Sequence, residues 1–164
     1  DVLTQLPNRR YGMDRFAQEW SVATSSTLPI SCMMLDIDHF KKVNDRYGHD
    51  TGDLVVRQFA TAVKETCRRS DVVFRYGGEE FCIICPATGR KEAAQLGERI
   101  ASAVRNCIFG NPEAQFPVTL SIGIAVRRAD TGEPDDLIAT ADQALYRAKA
   151  EGRDRVIVAE ESVG

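Results

Sequence analysis

Long apolar runs are missing from this 164-residue chain. No stretch approaches the ~18–20 apolar residues that cross a bilayer as a helix, and no signal peptide is recognisable. An excess of charge of one sign is lacking too. Lys and Arg number 21 against 24 Asp and Glu, a formal net charge of −3, whereas a dedicated nucleic-acid binder is expected to be clearly basic. Histidine is scarce: only His39 and His49 occur, which argues against a histidine-based zinc site. The five cysteines, Cys32, Cys67, Cys82, Cys85 and Cys107, are odd in number and scattered over apolar segments. They read as reduced core thiols of a cytoplasmic protein rather than a disulfide framework. Cys82-x-x-Cys85 has redox or zinc spacing, but an extended strand sends residues three apart to opposite faces, so these two are expected in the core. Repeats and low-complexity linkers are also absent.

What is present is ordinary globular material: 43 % of residues are hydrophobic and 27 % charged. At roughly 100–200 residues per domain, residues 1–164 are expected to form one domain. The chain opens at Asp1 rather than Met, and is expected to be a segment of a longer, multidomain polypeptide whose regulatory part lies elsewhere; that parent is open to a membrane anchor, while this domain is expected to make no membrane contact.

Pro7 and Asn8 precede a helical pattern through Met13, Phe16, Ala17 and Trp20. Ile30 to Ile37 is a short, nearly continuous apolar run ending in acids, which suggests a buried central strand. A short helix through Phe40 and Val43 follows, with Asp38 as its cap or as a ligand, and Thr51 to Arg69 reads as a second. Val72 to Tyr76 and Glu79 to Cys85 read as strands joined by a Gly77-Gly78 hairpin. Further on come a helix through Ala93, Leu96, Ile100 and Val104, a loop over 109–117, a strand over 118–126 with Gly123 as a bulge or close approach, and a loop over 127–134. A helix through Leu137, Ala141, Leu145 and Ala148 and a strand over 155–159 complete the chain. The centre reads β-α-α-β-β-α-β, an α+β sheet of the ferredoxin-like kind with helices covering one face.

Two acidic clusters carry the chemistry. Asp36 and Asp38 stand where the apolar strand ends, and a carboxylate at the buried end of a sheet needs a cation or donors to stay ionised. Gly77-Gly78-Glu79-Glu80-Phe81 puts two acids after glycines that permit positive φ and a close approach of ligand to backbone. Should the hairpin pair beside the first strand, Glu79 faces Asp36, and two close carboxylates repel unless a cation sits between them. Hard cations such as Mg²⁺ take oxygen ligands and commonly arrive with substrate phosphates. Arg147, Lys149 and Arg153 form a basic group at the end of the penultimate helix, read either as a solvated face suiting the helix dipole or as charge for a triphosphate.

These residues resemble a known family. Gly77-Gly78-Glu79-Glu80-Phe81 is the GGEEF form of the signature of GGDEF-domain diguanylate cyclases. Asp1-x-Leu3-Thr4-x-Leu6-Pro7-Asn8-Arg9-Arg10 resembles the family's opening segment. Asp36-Ile37-Asp38-x-Phe40-Lys41-x-Val43-Asn44-Asp45-x-x-Gly48-His49-x-x-Gly52-Asp53 is similar to its first active-site block. Ser121-Ile122-Gly123-Ile124-Ala125 and Ala141-Asp142-x-Ala144-Leu145-Tyr146-x-Ala148-Lys149-x-x-Gly152-Arg153 resemble the later blocks, in the expected order.

The resemblance implies a fold like the class III nucleotidyl cyclase palm, with a mostly antiparallel central sheet, helices packed around it and an active site at the Gly-Gly hairpin. It implies condensation of two GTP into cyclic di-GMP with release of two pyrophosphates. Asp36, Glu79 and the Ile37 backbone carbonyl would hold Mg²⁺ (or Mn²⁺). Glu79 or Glu80 would take the proton of the attacking 3′-hydroxyl, with Lys41 completing the catalytic set. Phe40, Asn44, His49, Asp53, Gly77, Gly78, Lys149 and Arg153 would bind substrate, Asn44 and Asp53 reading guanine and the cations meeting phosphate. One domain holds one GTP, so two domains must meet as a homodimer. Arg68-x-x-Asp71, with Arg99 on the next helix, matches the family's product-inhibition site, where cyclic di-GMP binds; as residues alone, Arg68 and Asp71 also read as an ion pair at a helix end. Gln5, His39 and Asp154 depart from the usual pattern without touching the carboxylates.

Other readings separate on the same residues. A catalytically silent sensor of GTP or cyclic di-GMP need not keep Asp36, Glu79, Glu80, Lys41 and Asn44, all of which stand here. A cyclase of relaxed base choice is disfavoured by Asp53, whose acceptor oxygens suit the N–H donors of guanine. A nucleic-acid polymerase would need a basic stripe for template, and no nucleic-acid partner is expected.

Overall fold

The computed structural model describes residues 1–160. In chain order the elements are α1 (Arg9–Ser26), β1 (Ile30–Ile37), α2 (Phe40–Tyr47), α3 (His49–Thr66), β2 (Val72–Arg75), β3 (Glu80–Pro86), α4 (Arg90–Asn106), β4 (Phe109–Asn111), β5 (Ala114–Phe116), β6 (Leu120–Val126), α5 (Pro134–Ala150) and β7 (Arg155–Val158). The main sheet runs β2-β3-β1-β6-β7, antiparallel except for the parallel β6–β7 pair. This is the α+β arrangement that the pattern of elements implied.

β1 is buried at all eight positions because it is the middle strand and both of its faces are covered. Met33, Leu35 and Ile37 pack with Phe59, Leu96 and Ile100 from α3 and α4. Cys32 and Met34 pack on the other face with Phe16 and Trp20 of α1 and Leu137 and Ala141 of α5. Helices therefore cover both faces, not one: the central β-α-α-β-β-α-β order accounts for α3 and α4, and the outer helices α1 and α5 close the opposite side. Asn8 caps α1, its side chain accepting from the Tyr11 N–H at 2.9 Å. Pro134 in the first turn and a reciprocal Glu133–Asp136 capping box start α5. Gly123 is a close approach: a Cβ there would stand 2.8 Å from the Ala144 carbonyl carbon, so α5 lies directly on β6.

Four local expectations change. Residues 109–117 are not a plain loop but contain the β4–β5 hairpin, clamped by Gln58, whose side chain bonds both the N–H and the carbonyl of Gly110 (2.9 and 3.1 Å). Asp38 does not cap α2; His39 holds that position with φ 56° and no side-chain cap bond. The Gly77-Gly78 connection is one residue longer, since Tyr76 pairs with Glu80 through an N–H···O bond of 2.8 Å and leaves Gly77, Gly78 and Glu79 as the loop. Finally, neither Gly77 nor Gly78 has positive φ. The two cysteines of Cys82-x-x-Cys85 fall on opposite faces, as an extended strand requires, and Cys82 Sγ lies 3.8 Å from Cys32 Sγ. Burial pushes the Cys82 and Cys85 thiols well above their ordinary value and that of Cys67 to about 12, which keeps them unreactive.

Candidate active site

One end of the sheet gathers the acidic residues singled out above, with Lys149 beside them. Asp36 is the penultimate residue of β1 and is 6 % exposed. Its direct cross-strand partner on β3 is Glu80, so these two share a face, while the Ile37 N–H donates to the Glu79 carbonyl at 3.2 Å. Glu79 thus sits one residue past the opposition expected for it. From the other side, the Lys149 ammonium at the end of α5 donates to the Asp36 carboxylate.

The electrostatics follow from that crowding. Burial raises the Asp36 carboxyl to about 6; Lys149 opposes the shift, and the charges of Glu79 and Glu80 add to it. A carboxylate in that state is suited to a cation stronger than one lysine. Among the described residues no N–H returns a bond to the Ile37 carbonyl from Glu79, so an oxygen stands available beside the two acids. No three His, Cys, Asp or Glu side chains converge among the described residues; the Asp36 and Glu79 carboxylates and the Ile37 carbonyl are the oxygen groups at this end of the sheet that could hold a hard divalent ion.

The hairpin is held from below. Arg75, the last residue of β2, donates to the carbonyls of Gly77 (3.1 Å) and Gly78 (3.1 and 2.7 Å) and to both Asp1 carboxylate oxygens at 3.3 Å. Asp1 in turn accepts from the Thr4 N–H and hydroxyl at 2.9 and 2.6 Å. Arg75 was not singled out from the sequence; its position two residues before Gly77 was the available signal. With both carbonyls turned down onto Arg75, the outer side of the loop is free, and a Cβ built on Gly78 would meet nothing within 4 Å.

α2 and α3 supply the neighbouring wall. A Cβ on Gly52 would collide with the Asn44 amide oxygen and reach within 3.4 Å of the Phe40 ring, so glycine lets Phe40 and Asn44 close on α3 beside the exposed Asp53. Lys41 and His49 are exposed on the same two helices. Arg153 follows α5 in a left-handed turn with φ 65°, its N–H on the Ala148 carbonyl at 2.9 Å.

Arg68, Asp71 and Arg99 are not part of this site. Arg68 and Asp71 precede β2, at the end opposite the hairpin, and Arg99 is exposed on α4. Asp71 is fully covered as a side chain; it accepts from the Arg68 N–H at 2.8 Å and from its guanidinium at 3.1 and 3.4 Å, and that guanidinium also donates to the Thr88 hydroxyl.

The family model described as "Diguanylate cyclase, GGDEF domain" matches residues 1–155. The response regulator PleD of Caulobacter vibrioides is 40 % identical over 159 residues, 96 % of this chain and 35 % of that protein. The GGDEF domain of DgcB from Caulobacter crescentus, solved in complex with c-di-GMP, is 34 % identical with a TM-score of 0.93, covering 98 % of this chain and 93 % of that chain. An active GGEEF domain of a diguanylate cyclase from Vibrio cholerae is 32 % identical with a TM-score of 0.90, covering 96 % and 100 %. The chain spans about a third of the length of the curated relatives that it matches.

Proposed function

Since the chain belongs to the GGDEF diguanylate cyclase family, we propose that it condenses two GTP molecules into cyclic di-GMP and releases two pyrophosphates. The observation that carries this reading is the buried Asp36 carboxylate, set against Glu79 and Glu80 and only partly offset by its contact with Lys149.

Asp36, Glu79 and the Ile37 carbonyl are the residues that would hold Mg²⁺ or Mn²⁺, which supplies positive charge against phosphate oxygens and favours ionisation of the attacking hydroxyl. Phe40 lines the nucleotide pocket, and Asn44 and Asp53 offer acceptors to guanine N–H groups. His49, exposed at the start of α3, belongs to the proposed substrate-binding set. Lys41, Lys149 and Arg153 draw charge from the triphosphate. Gly77 and Gly78 let the α-phosphate rest on the hairpin. The 3′-oxygen of one GTP attacks the α-phosphorus of the other; the new O–P bond forms as the bond to pyrophosphate breaks, and Glu79 or Glu80 accepts the proton.

Each domain presents one such site, and the product contains two phosphodiester bonds. Two domains therefore work face to face as an isologous homodimer with antiparallel substrates. Arg68, Asp71 and Arg99 form the inhibitory site for product: the Arg68 guanidinium suits the Hoogsteen edge of guanine, and Asp71 holds that guanidinium. The place of such a GTP-consuming domain is cytoplasmic. Incubation of a forced dimer with GTP and Mg²⁺, with the product identified by mass, tests the reading: cyclic di-GMP supports it, and intact GTP opposes it.

A further inference from the structure

Asp38 does not play the capping role that the sequence left open to it. It caps no helix, and both of its oxygens are occupied by neutral donors. The Thr119 hydroxyl (2.7 Å) and the Asp154 N–H (2.9 Å) donate to Oδ2, and the Ser121 hydroxyl (2.7 Å) donates to Oδ1. The side chain is buried, at 6 % exposure, and pairs with no cation among the described residues. A buried carboxylate without a counter-charge is a costly way to fill space.

The segment it holds explains the cost. After α5 the backbone passes through three successive positive φ angles: Gly152 at 120°, Arg153 at 65° and Asp154 at 46°. The last two are not glycines, and left-handed residues of that kind are strained unless their surroundings fix them. The Gly152 and Arg153 N–H groups bond back to the Lys149 and Ala148 carbonyls of α5, at 3.3 and 2.9 Å, and a half-exposed tether runs from Arg105 to the Asp154 carboxylate at 2.8 Å; the part-buried Asp38 contact to the Asp154 N–H is the bond that ties this turn to the ends of β1 and β6.

We propose that Asp38 is the positioning residue for the arm carrying Arg153: it locks the turn after α5 to the ends of β1 and β6, so that Arg153 meets the triphosphate in a fixed pose. The inference rests on the reading of Arg153 as a phosphate ligand.

A double-mutant cycle tests it, with 3′-deoxy-GTP as the probe because it lacks the attacking hydroxyl. Asp38→Ala and Arg153→Ala are each expected to weaken binding about tenfold, the scale of one hydrogen bond to a charged group. The double variant is expected to lose no more than either single, and binding of guanosine is expected to be unchanged. Asp38→Asn, which keeps an acceptor for the Asp154 N–H, is expected to restore binding. Additive losses, or an equal loss for guanosine, overturn the positioning role while leaving the Arg153 reading intact. An Arg153→Ala variant that binds normally overturns both. Should Asp38→Ala not fold, Thr119→Val with Ser121→Ala, which strips the donors orienting the carboxylate, enters the same cycle with the same criterion.

Discussion

The Lys149 ammonium donates to the Asp36 carboxylate across 113 positions of sequence, joining the last turn of α5 to the end of the central strand. This single contact marks where the fold concentrates charge. It brings a buried acid, two hairpin acids and a basic helix end within reach of one another, and leaves the acid poorly satisfied.

That poor satisfaction has a sign. The ordinary Asp36 value is 3.8 and the folded value about 6, so between them the folded chain keeps a proton that the unfolded chain has lost. Its contribution to stability is full below about pH 4 and is lost as pH rises through about 6. In metal-free buffer, Asp36→Asn is expected to be more stable than the parent at pH 8 by about 1–3 kcal/mol, the gain shrinking to nothing toward pH 4. Urea unfolding across that range checks it; a variant less stable than the parent at pH 8 contradicts it.

Gly78 separates the needs of the ligand from the needs of the fold. Its φ is not positive and a Cβ would meet nothing within 4 Å, so Gly78→Ala is expected to change stability by less than about 0.5 kcal/mol. GTP turnover by a forced dimer is expected to fall at least tenfold, because the methyl group stands where the phosphate would lie. Unchanged turnover would deny the hairpin its phosphate.

Much of this site could be read in the sequence because its parts are local. The run from Ile30 to Ile37 marks the central strand, and Gly77 to Phe81 marks the turn. The capping reading of Asp38 fails: an acid before a helix ordinarily caps it, whereas here its hydrogen-bond partners, Thr119, Ser121 and Asp154, lie 81 to 116 positions away. The β4–β5 hairpin was hidden by Gly110, Pro112 and Pro117, which normally signal a loop; Gln58, far back on α3, makes it a hairpin. Covering of both faces follows from α1 and α5, whose apolar stripes do not reveal which side of the sheet they choose.

Arg75 is expected to act through geometry rather than charge. Its fork spans two hairpin carbonyls and the Asp1 carboxylate, which a point-charge ammonium cannot reproduce. Arg75→Ala is expected to cost about 1–2 kcal/mol of stability and most of the turnover, and Arg75→Lys to recover little of either. Thermal unfolding and a turnover assay check both variants; full recovery by lysine would contradict the account.

Arg68→Ala is expected to relieve inhibition by cyclic di-GMP while leaving the initial rate nearly unchanged, because Arg68 lies at the end of β2 opposite the hairpin. Initial rates with added cyclic di-GMP measure this. Undiminished inhibition would return Arg68 and Asp71 to the status of an ion pair at a helix end.

The central claim is that the end of β1 and the acidic hairpin together bind a nucleotide-bound divalent ion. Mn²⁺ binding followed by electron paramagnetic resonance, with 3′-deoxy-GTP present, tests this most directly. The expected result is one tight Mn²⁺ per chain, lost in both Asp36→Asn and Glu79→Gln. Equal Mn²⁺ binding by the parent and both variants would contradict the claim.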